Sequence, residues 1–289
     1  MTTTPQFEFV PAVSEIAREA GALLMGHFQK HVKVEYKGDV DLVTEADRKS
    51  EKLIISRIRA QFPDHDIVGE EGTRQETGSA YRWYVDPLDG TTNFAHGFPV
   101  FCVSLGLEHK GELIAGVIYD PTRDELFSAE QGSGAFLNGA RMYVSKTKHL
   151  SESLLATGFP SHKRHKNPNI HFYHQITLRS HGVRRAGSAS LDLANVASGR
   201  IDAFWEFNLN PWDTAAGVVL VREAGGMVTR YDGSPFNIDS RETLASNGLV
   251  HEELRALMQD IFNGTNLEPL PSPQEYARQR AERERAGSD

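Results

Sequence analysis

Cysteine, long apolar runs and an excess of basic charge are scarce or missing in this chain of 289 residues. Its single cysteine, Cys102, has no partner in the chain for a disulfide, which is typical of a reducing cytoplasm. No apolar run approaches the roughly 18 residues that a membrane span needs. The first residues, MTTTPQFEF, contain no basic region followed by an apolar block, which predicts no secretory signal. We therefore expect a cytoplasmic protein with no membrane contact.

The charge balance argues against a surface for nucleic acid. The chain carries 31 Lys and Arg against 39 Asp and Glu, a formal net charge of -8. Phosphate contacts to DNA or RNA need clustered basic side chains, so we expect no direct nucleic-acid partner. An acidic protein can still bind phosphate through metal ions.

Helix and strand signals alternate along the sequence and predict an α/β fold. Apolar residues at helical spacing predict a helix over 9–29 and a second helix from Thr44 to Phe62. Apolar runs separated by turn signals predict an antiparallel meander over 83–145. Helices are then predicted within 188–199 and 211–226, with strands around them.

The length and this pattern predict two domains and a tail. A chain of 289 residues exceeds what one core usually fills. We place the N-terminal α+β domain at 1–145 and the C-terminal α/β domain at 146–265. Residues 266–289 bear prolines and then dense charge, which predicts a loose tail or a frayed helix.

The stretch WYVDPLDGTTNF, residues 83–94, carries the most specific chemistry. The strand is predicted to end at Asp86, after which Pro87 restricts the backbone and Asp89 begins a turn. Two carboxylates so close raise each other's proton affinity unless a cation neutralises them, and Mg²⁺ takes such oxygen ligands. Taken alone, the acids also fit a solvated turn. The following Gly90–Thr92 segment can offer N–H and hydroxyl groups to an anion, which favours a metal-bridged phosphate.

Further acids lie at the ends of other predicted elements. Glu70 and Glu71 follow the short strand in HDIVGEEG, Asp213 lies in the first turn of a helix, and Asp47 closes a capping-box pattern that begins at Thr44. Taken singly, Glu70 and Glu71 fit an ordinary charged loop, and Asp213 and Asp47 each fit a helix-capping role. Their shared position at element ends is also where catalytic cations are held.

These motifs together resemble the inositol monophosphatase family of Mg²⁺-dependent, lithium-sensitive phosphatases. The resemblance rests on GEE, DPLDGTTNF and PWDTAAGVVLVREAGG in that order, and on DLVTEAD, ATGFP and RRAGSASLDLANVASGRIDAFWE. It extends from about residue 9 to about residue 262. It implies a layered αβαβα sandwich whose N-terminal part bears the acidic metal loop and whose C-terminal part completes the substrate site.

The resemblance also implies roles for individual residues. Two or three Mg²⁺ ions would be held, the first by Glu70, Asp86 and the carbonyl of Leu88, the second by Asp86, Asp89 and Asp213, and a weaker third by Asp47 and Glu70. Gly90 and Thr91 would bind the phosphate, and Thr91 and Glu70 would orient the attacking water. The residues expected on the substrate side are Asp89, Gly187, Ser188, Ala189 and Glu206.

Hydrolysis of inositol 1-phosphate is the activity that we expect from these residues, since Glu206 suits a polyol. The alternatives are the same chemistry on fructose 1,6-bisphosphate, histidinol phosphate or 3'-phosphoadenosine 5'-phosphate, and a scaffold role with a protein partner. The five carboxylates argue against a scaffold as the sole role. The resemblance further implies a homodimer.

Two features are assigned no part in the chemistry. His162, His165, His171 and His174 form two HxxH pairs, which could hold a transition metal but are interpreted as part of a basic polar loop. Lys37 lies one residue nearer to Asp47 than in some relatives, so no role near the third ion is assigned to it.

Overall fold

The computed structural model describes residues 8–28, 34–36, 42–159, 167–270 and 272–286, and of 34–36 and 42–44 it describes only the backbone. In this part of the chain the helices are α1 (Val10–Phe28), α2 (Glu45–Gln61), α3 (Thr91–Ala95), α4 (Asn169–Thr177), α5 (Ala189–Ala197), α6 (Pro211–Glu223), α7 (His251–Asn263) and α8 (Pro273–Ala286), with a short 3₁₀-helix at Leu150–Glu152. The strands are β1 (Val34–Tyr36), β2 (Leu42–Thr44), β3 (Asp66–Gly69), β4 (Arg74–Gln75), β5 (Tyr81–Asp89), β6 (Cys102–His109), β7 (Glu112–Asp120), β8 (Glu125–Glu130), β9 (Gly134–Leu137), β10 (Ala140–Arg141), β11 (Leu154–Thr157), β12 (Gly182–Arg184), β13 (Ala203–Phe207), β14 (Met227–Thr229) and β15 (Glu242–Ser246).

An eight-stranded sheet contains the predicted meander. Its strand order is β10-β9-β8-β7-β6-β5-β3-β4, and every pair from β10 to β5 is antiparallel. β3 then joins β5 in parallel, and β4 closes the edge. The predicted antiparallel meander is therefore confirmed, and the strand after the helix α2 places its carboxyl end beside that of β5.

A five-stranded sheet follows later in the chain. Its order is β12-β11-β13-β15-β14, with parallel pairs on both sides of β11 and antiparallel pairs on both sides of β15. β1 and β2 form a separate antiparallel pair.

Helices cover both sheets and separate them, which gives five layers. α1 and α2 pack on one face of the eight-stranded sheet, and α5 and α6 fill the space between the two sheets. α4 and α7 contribute to a third core on the outer face of the five-stranded sheet. The predicted layered αβαβα sandwich is confirmed.

Helix boundaries follow the sequence signals closely. α1 and α2 begin and end within one residue of their predicted limits. α6 has Pro211 at its first turn, where the missing N–H costs nothing, and Gly225 beyond its end at φ 89°. α5 begins after Ser188, whose side chain accepts a hydrogen bond of 3.3 Å from the Leu191 N–H.

Two segments differ from the sequence interpretation. The segment interpreted as a basic polar loop contains α4, whose Phe172 and Ile176 are buried at helical spacing. Residues 266–270 are not loose, because the Gln175 side chain exchanges hydrogen bonds of 2.7 and 3.1 Å with the backbone of Glu268. Beyond them α8 is an exposed helix. The division of the chain into domains near residue 146 stays a prediction.

In the described part of the chain, no helix has the length and apolar character needed to cross a membrane.

Candidate active site

A β-bulge shapes the acidic loop at the end of β5. The strand does not end at Asp86, as the sequence suggested, but continues to Asp89. Asp86 lies opposite Ser104 and Asp89 lies opposite Cys102, so β5 has one more residue than β6 between the two pairs. Side chains three apart on a regular strand point to opposite faces, and one extra residue brings them to the same face. The bulge thus lets both aspartates face one cleft.

Asp86 lies at the centre of the acidic cluster. It is 1% exposed, and its carboxylate accepts a hydrogen bond of 3.0 Å from the Leu88 N–H. Burial and then the charges of Glu70, Asp89 and Asp213 raise the pKa of Asp86 well above its usual range. The structure therefore brings together the four acids that the sequence predicted for two metal ions.

Asp89 joins the end of β5 to the start of α5. Its Oδ2 accepts hydrogen bonds of 2.6 Å from the Ser188 hydroxyl and 2.8 Å from the Ser190 N–H. Burial raises the pKa of Asp89, while these donors oppose the shift. The hydroxyl of Ser188, a residue predicted on the substrate side, thus supports Asp89.

Asp213 both caps a helix and belongs to the cluster. Its Oδ2 accepts a hydrogen bond of 2.7 Å from the Asn210 N–H, the capping role that the sequence left open. Burial and the charge of Asp89 raise the pKa of Asp213 to about 7. The capping role of Asp213 is therefore confirmed, and its role as a metal ligand stays a prediction.

Side chains of the helix α2 form hydrogen bonds with the loops that carry the acidic residues. Asp47 accepts a hydrogen bond of 3.1 Å from the Thr91 hydroxyl, and Ser50 donates one of 3.0 Å to the Pro87 carbonyl. Glu51 contacts the loop that carries Glu70, as described below. Sequence reasoning missed Ser50 and Glu51, although their spacing from Asp47 places all three on one face of α2. Polar residues on the inward face of a helix were the available signal.

The turn predicted to bind phosphate requires a glycine. Gly90 has φ 98°, and a Cβ there would lie 2.8 Å from the Val100 carbonyl oxygen. The Thr91 hydroxyl lies 3.1 Å from both the Asp47 carboxylate and the Leu88 carbonyl oxygen. Leu88, whose carbonyl was predicted as a metal ligand, thus meets Thr91 at that oxygen.

An asparagine links this turn to the segment predicted for the substrate alcohol. The Asn93 side chain donates hydrogen bonds of 2.8 Å to the Val100 carbonyl and 2.9 Å to the Ala186 carbonyl, next to Gly187. Ala189, the first residue of α5, is buried. Sequence reasoning assigned no role to Asn93.

Glu206 lies inside the same cleft wall rather than on the surface. It is 7% exposed, and its carboxylate packs so closely on Gly158 that a Cβ there would lie 2.0 Å from Oε2. Burial and then the charges of Asp192 and Asp213 raise the pKa of Glu206 well above its usual range. Asp192 is a further buried acid, with a raised pKa, that the sequence did not single out.

The donor chemistry of this cleft fits Mg²⁺. Buried and half-buried carboxylates whose pKa values are raised, those of Asp86 and Asp213 first by burial and then by neighbouring acids, form an oxygen-rich set of the kind that hard divalent cations bind. Within the described ranges, however, no three His, Cys, Asp or Glu side chains already have the spacing of ligands to one ion. The carboxylates instead accept hydrogen bonds from the Leu88, Ser190 and Asn210 N–H groups. The assignment of individual metal ligands stays a prediction.

Part of the sequence interpretation falls outside the described residues. The residues concerned are Lys37, His162 and His165. His171 and His174 lie on α4, and the His174 ring contacts the Pro269 carbonyl at 3.3 Å.

Comparison with known proteins identifies the family. The family model described as "Inositol monophosphatase family" matches residues 7–262. A protein of Synechocystis sp. named "Inositol-1-monophosphatase" is 46% identical over 248 residues, which cover 83% of this chain and 86% of that protein. The "Nus factor SuhB" of Pseudomonas aeruginosa is 43% identical, covering 84% of this chain and 93% of that protein.

A solved structure agrees with this result. The inositol monophosphatase from Anabaena (Nostoc) sp. superposes with a TM-score of 0.80 at 44% identity, covering 87% of this chain and 95% of that one. The chain thus shares sequence and fold with these proteins. It belongs to the inositol monophosphatase family and is a metal-dependent phosphatase, as the motifs predicted.

Proposed function

We propose that this phosphatase hydrolyses inositol 1-phosphate to inositol and phosphate. The observation that carries the proposal is the position of Glu206, a buried carboxyl whose pKa is raised first by burial and then by the charges of Asp192, Asp213 and Asp89. A carboxyl beside a phosphate site can accept hydrogen bonds from the hydroxyls of a polyol. Such a site suits an alcohol with several hydroxyl groups.

Two or three Mg²⁺ ions would be held by the carboxylates at the end of β5 and the start of α6. Asp86 and Glu70 with the Leu88 carbonyl would hold one ion, Asp86, Asp89 and Asp213 a second, and Asp47 with Glu70 a weaker third. When bound, the ions neutralise the phosphate, lower the pKa of the attacking water and stabilise the leaving alkoxide. Mutual repulsion among the acids supports this reading, because divalent charge relieves it.

The chain's own residues orient the reactants. The Gly90–Thr91 turn binds the phosphate through N–H groups, and Thr91 and Glu70 orient the attacking water. The Thr91 hydroxyl is held in place by contacts of 3.1 Å to Asp47 and the Leu88 carbonyl. The alcohol is oriented by Glu206 and by the Gly187–Ala189 segment, which Asn93 ties to the phosphate turn. No covalent intermediate with the protein is required.

Purified protein assayed with Mg²⁺ against a panel of phosphate esters tests the substrate. We expect the highest kcat/KM for inositol 1-phosphate. A higher kcat/KM for fructose 1,6-bisphosphate, histidinol phosphate or 3'-phosphoadenosine 5'-phosphate would identify that ester as the substrate instead, and the proposed mechanism of hydrolysis would still hold. No hydrolysis of any ester would contradict both.

A role with a protein partner is the second candidate. The relative from Pseudomonas aeruginosa, 43% identical, is named as a Nus factor. Affinity purification of tagged wild-type protein and of D86N tests this candidate. Retention of one partner by both forms would support a role separate from hydrolysis, and recovery of no specific partner would remove it.

The assembly and location are also part of the proposal. We expect a homodimer, which the family resemblance supports, and light scattering on purified protein measures its mass. A cytoplasmic location is supported by the single cysteine, which is buried and has no partner for a disulfide within the chain. Cell fractionation tests it.

A further inference from the structure

Glu51 makes an unusually complete set of contacts for a residue outside the acidic cluster. It lies on α2 and is 4% exposed. One oxygen, Oε2, accepts a hydrogen bond of 2.8 Å from the Glu71 N–H. The other, Oε1, accepts bonds of 2.6 Å from the Thr73 hydroxyl and 3.3 Å from the Thr73 N–H. A buried helix residue thus binds two positions, Glu71 and Thr73, of a loop about twenty residues away in the sequence.

The fit between Glu51 and this loop is close. A Cβ at Gly69 would lie 2.5 Å from Oε2 of Glu51, so only glycine can occupy the position while the carboxylate stays in place. Gly69 and Glu71 flank Glu70 directly. The residue predicted to hold two metal ions and to orient water therefore lies between Gly69, against which the Glu51 carboxylate packs, and Glu71, whose N–H it accepts a hydrogen bond from.

The same helix fixes the opposite side of the cleft. Ser50, the neighbour of Glu51, donates to the Pro87 carbonyl at 3.0 Å, and Pro87 follows Asp86. Adjacent residues of one helix thus contact the backbone next to Glu70 and the backbone next to Asp86. A hydrogen bond of 3.1 Å from the Glu70 N–H to the Val85 carbonyl also joins the two segments directly.

We infer that Glu51 is a positioning residue that tunes the Mg²⁺ affinity of this enzyme by hydrogen-bonding the backbone that follows Glu70 and packing against Gly69 before it. The inference rests on the proposed function. The carboxylate of Glu51 matters, because both of its oxygens are acceptors and together they meet all three donors. A glutamine would turn an NH₂ group toward either the Glu71 N–H or the Thr73 N–H, and two donors facing each other repel. Residues that orient metal ligands change metal affinity by about ten- to a hundredfold when they are replaced.

The test compares three variants with the wild type. E51Q removes one acceptor, T73V removes only the hydroxyl donor, and E76Q removes one negative charge from an exposed site on the same segment. Mg²⁺ affinity is measured by calorimetry and by the rise in Tm on Mg²⁺ addition, neither of which depends on turnover. The Mg²⁺ concentration for half-maximal activity and kcat at saturating Mg²⁺ are measured separately.

E51Q should bind Mg²⁺ at least about tenfold more weakly, with kcat at saturating Mg²⁺ within about threefold of the wild type. T73V should shift the same way by a smaller factor, which keeps the test valid if E51Q does not fold, and E76Q should match the wild type. A fall in Tm of E51Q and T73V without any change in Mg²⁺ affinity would assign Glu51 to folding alone and overturn the inference. Absence of Mg²⁺ binding in the wild type would overturn the proposed function as well.

Discussion

Ser188 donates a hydrogen bond of 2.6 Å from its hydroxyl to the carboxylate of Asp89. The bond joins the end of β5 in the eight-stranded sheet to the residue that precedes α5, between the two sheets. Oδ2 of Asp89 is thereby engaged with protein donors, the Ser188 hydroxyl and the Ser190 N–H. The geometry of the acidic cluster thus depends on a residue that is not itself an acid.

Replacement of Ser188 by alanine should weaken catalysis. A hydrogen bond to a charged group contributes roughly 1.5–3 kcal/mol, so S188A should lower kcat/KM for inositol 1-phosphate by about tenfold or more. S198A, at the other end of α5, is the matched control, since the Ser198 hydroxyl donates to the Asn195 carbonyl at 3.3 Å, within the same helix. Steady-state kinetics at saturating Mg²⁺ measure the effect. Equal kinetics for the two variants would show that Asp89 keeps its orientation without Ser188.

Asp86 should be essential for turnover, and its carboxylate should lower the stability of the metal-free protein. D86N should lower kcat by at least about a hundredfold, because a bridging carboxylate supplies several kcal/mol of charge stabilisation. Without Mg²⁺ the same variant should have an unchanged or higher Tm, since burial and neighbouring acids raise the pKa of Asp86 and its charge is unfavourable there. D213N should behave alike.

The control for these variants is D64N, an exposed position. Circular dichroism and thermal melts with EDTA accompany the kinetics. A D86N protein with native spectra and nearly full activity would make Asp86 a turn residue.

Glu206 should select the alcohol and leave the phosphate chemistry intact. E206Q should lower kcat/KM for inositol 1-phosphate by about tenfold or more, and leave p-nitrophenyl phosphate nearly unchanged, because the amide NH₂ cannot accept from a substrate hydroxyl and a buried donor left unpaired costs about 1–3 kcal/mol. E242Q, on the neighbouring strand β15, is the control. Equal losses on both substrates would assign Glu206 to the metal site or to folding, and no loss on either would place it outside the pocket.

His251 should make stability depend on pH. It is 1% exposed and lies 2.9 Å from the Thr229 hydroxyl and 2.8 Å from the Ser246 hydroxyl. Burial lowers the pKa of His251 below 6.5. As the pH falls through about 6.5, the unfolded chain therefore binds more protons than the folded chain. The free energy of unfolding falls as the pH falls.

The wild-type Tm should decrease between about pH 7 and about pH 5, and the decrease should be smaller in H251N. H171N, at an exposed position of α4, should keep the wild-type slope. Identical slopes in all three proteins would mean that other groups control the acid limb.

Local motifs predicted much of the fold and the chemistry. The meander, α5 and α6 followed from apolar periodicity and from turn residues, and the family from three short motifs. The bulge in β5 was not predicted, because Pro87 looked like the end of a strand, whereas proline is also tolerated at a bulge. α7 was missed although Leu254, Leu257, Met258 and Ile261 have helical spacing.

The supporting residues of the site could not be predicted for a different reason. Ser50 and Glu51 act through loops that lie far from them in the sequence, and Ser188 meets Asp89 across the two halves of the chain. Their side chains are ordinary polar residues on a helix face or at a helix cap. Only the packing of α2 and α5 shows which partners they reach.

Release of phosphate from inositol 1-phosphate as Mg²⁺ is added back to EDTA-treated protein tests the central claim most directly. The buried acids at the end of β5 and the start of α6 predict no turnover in excess EDTA, recovery that rises with Mg²⁺, and inhibition by lithium, which can occupy an oxygen-lined site without delivering divalent charge. Full turnover in excess EDTA would contradict the account.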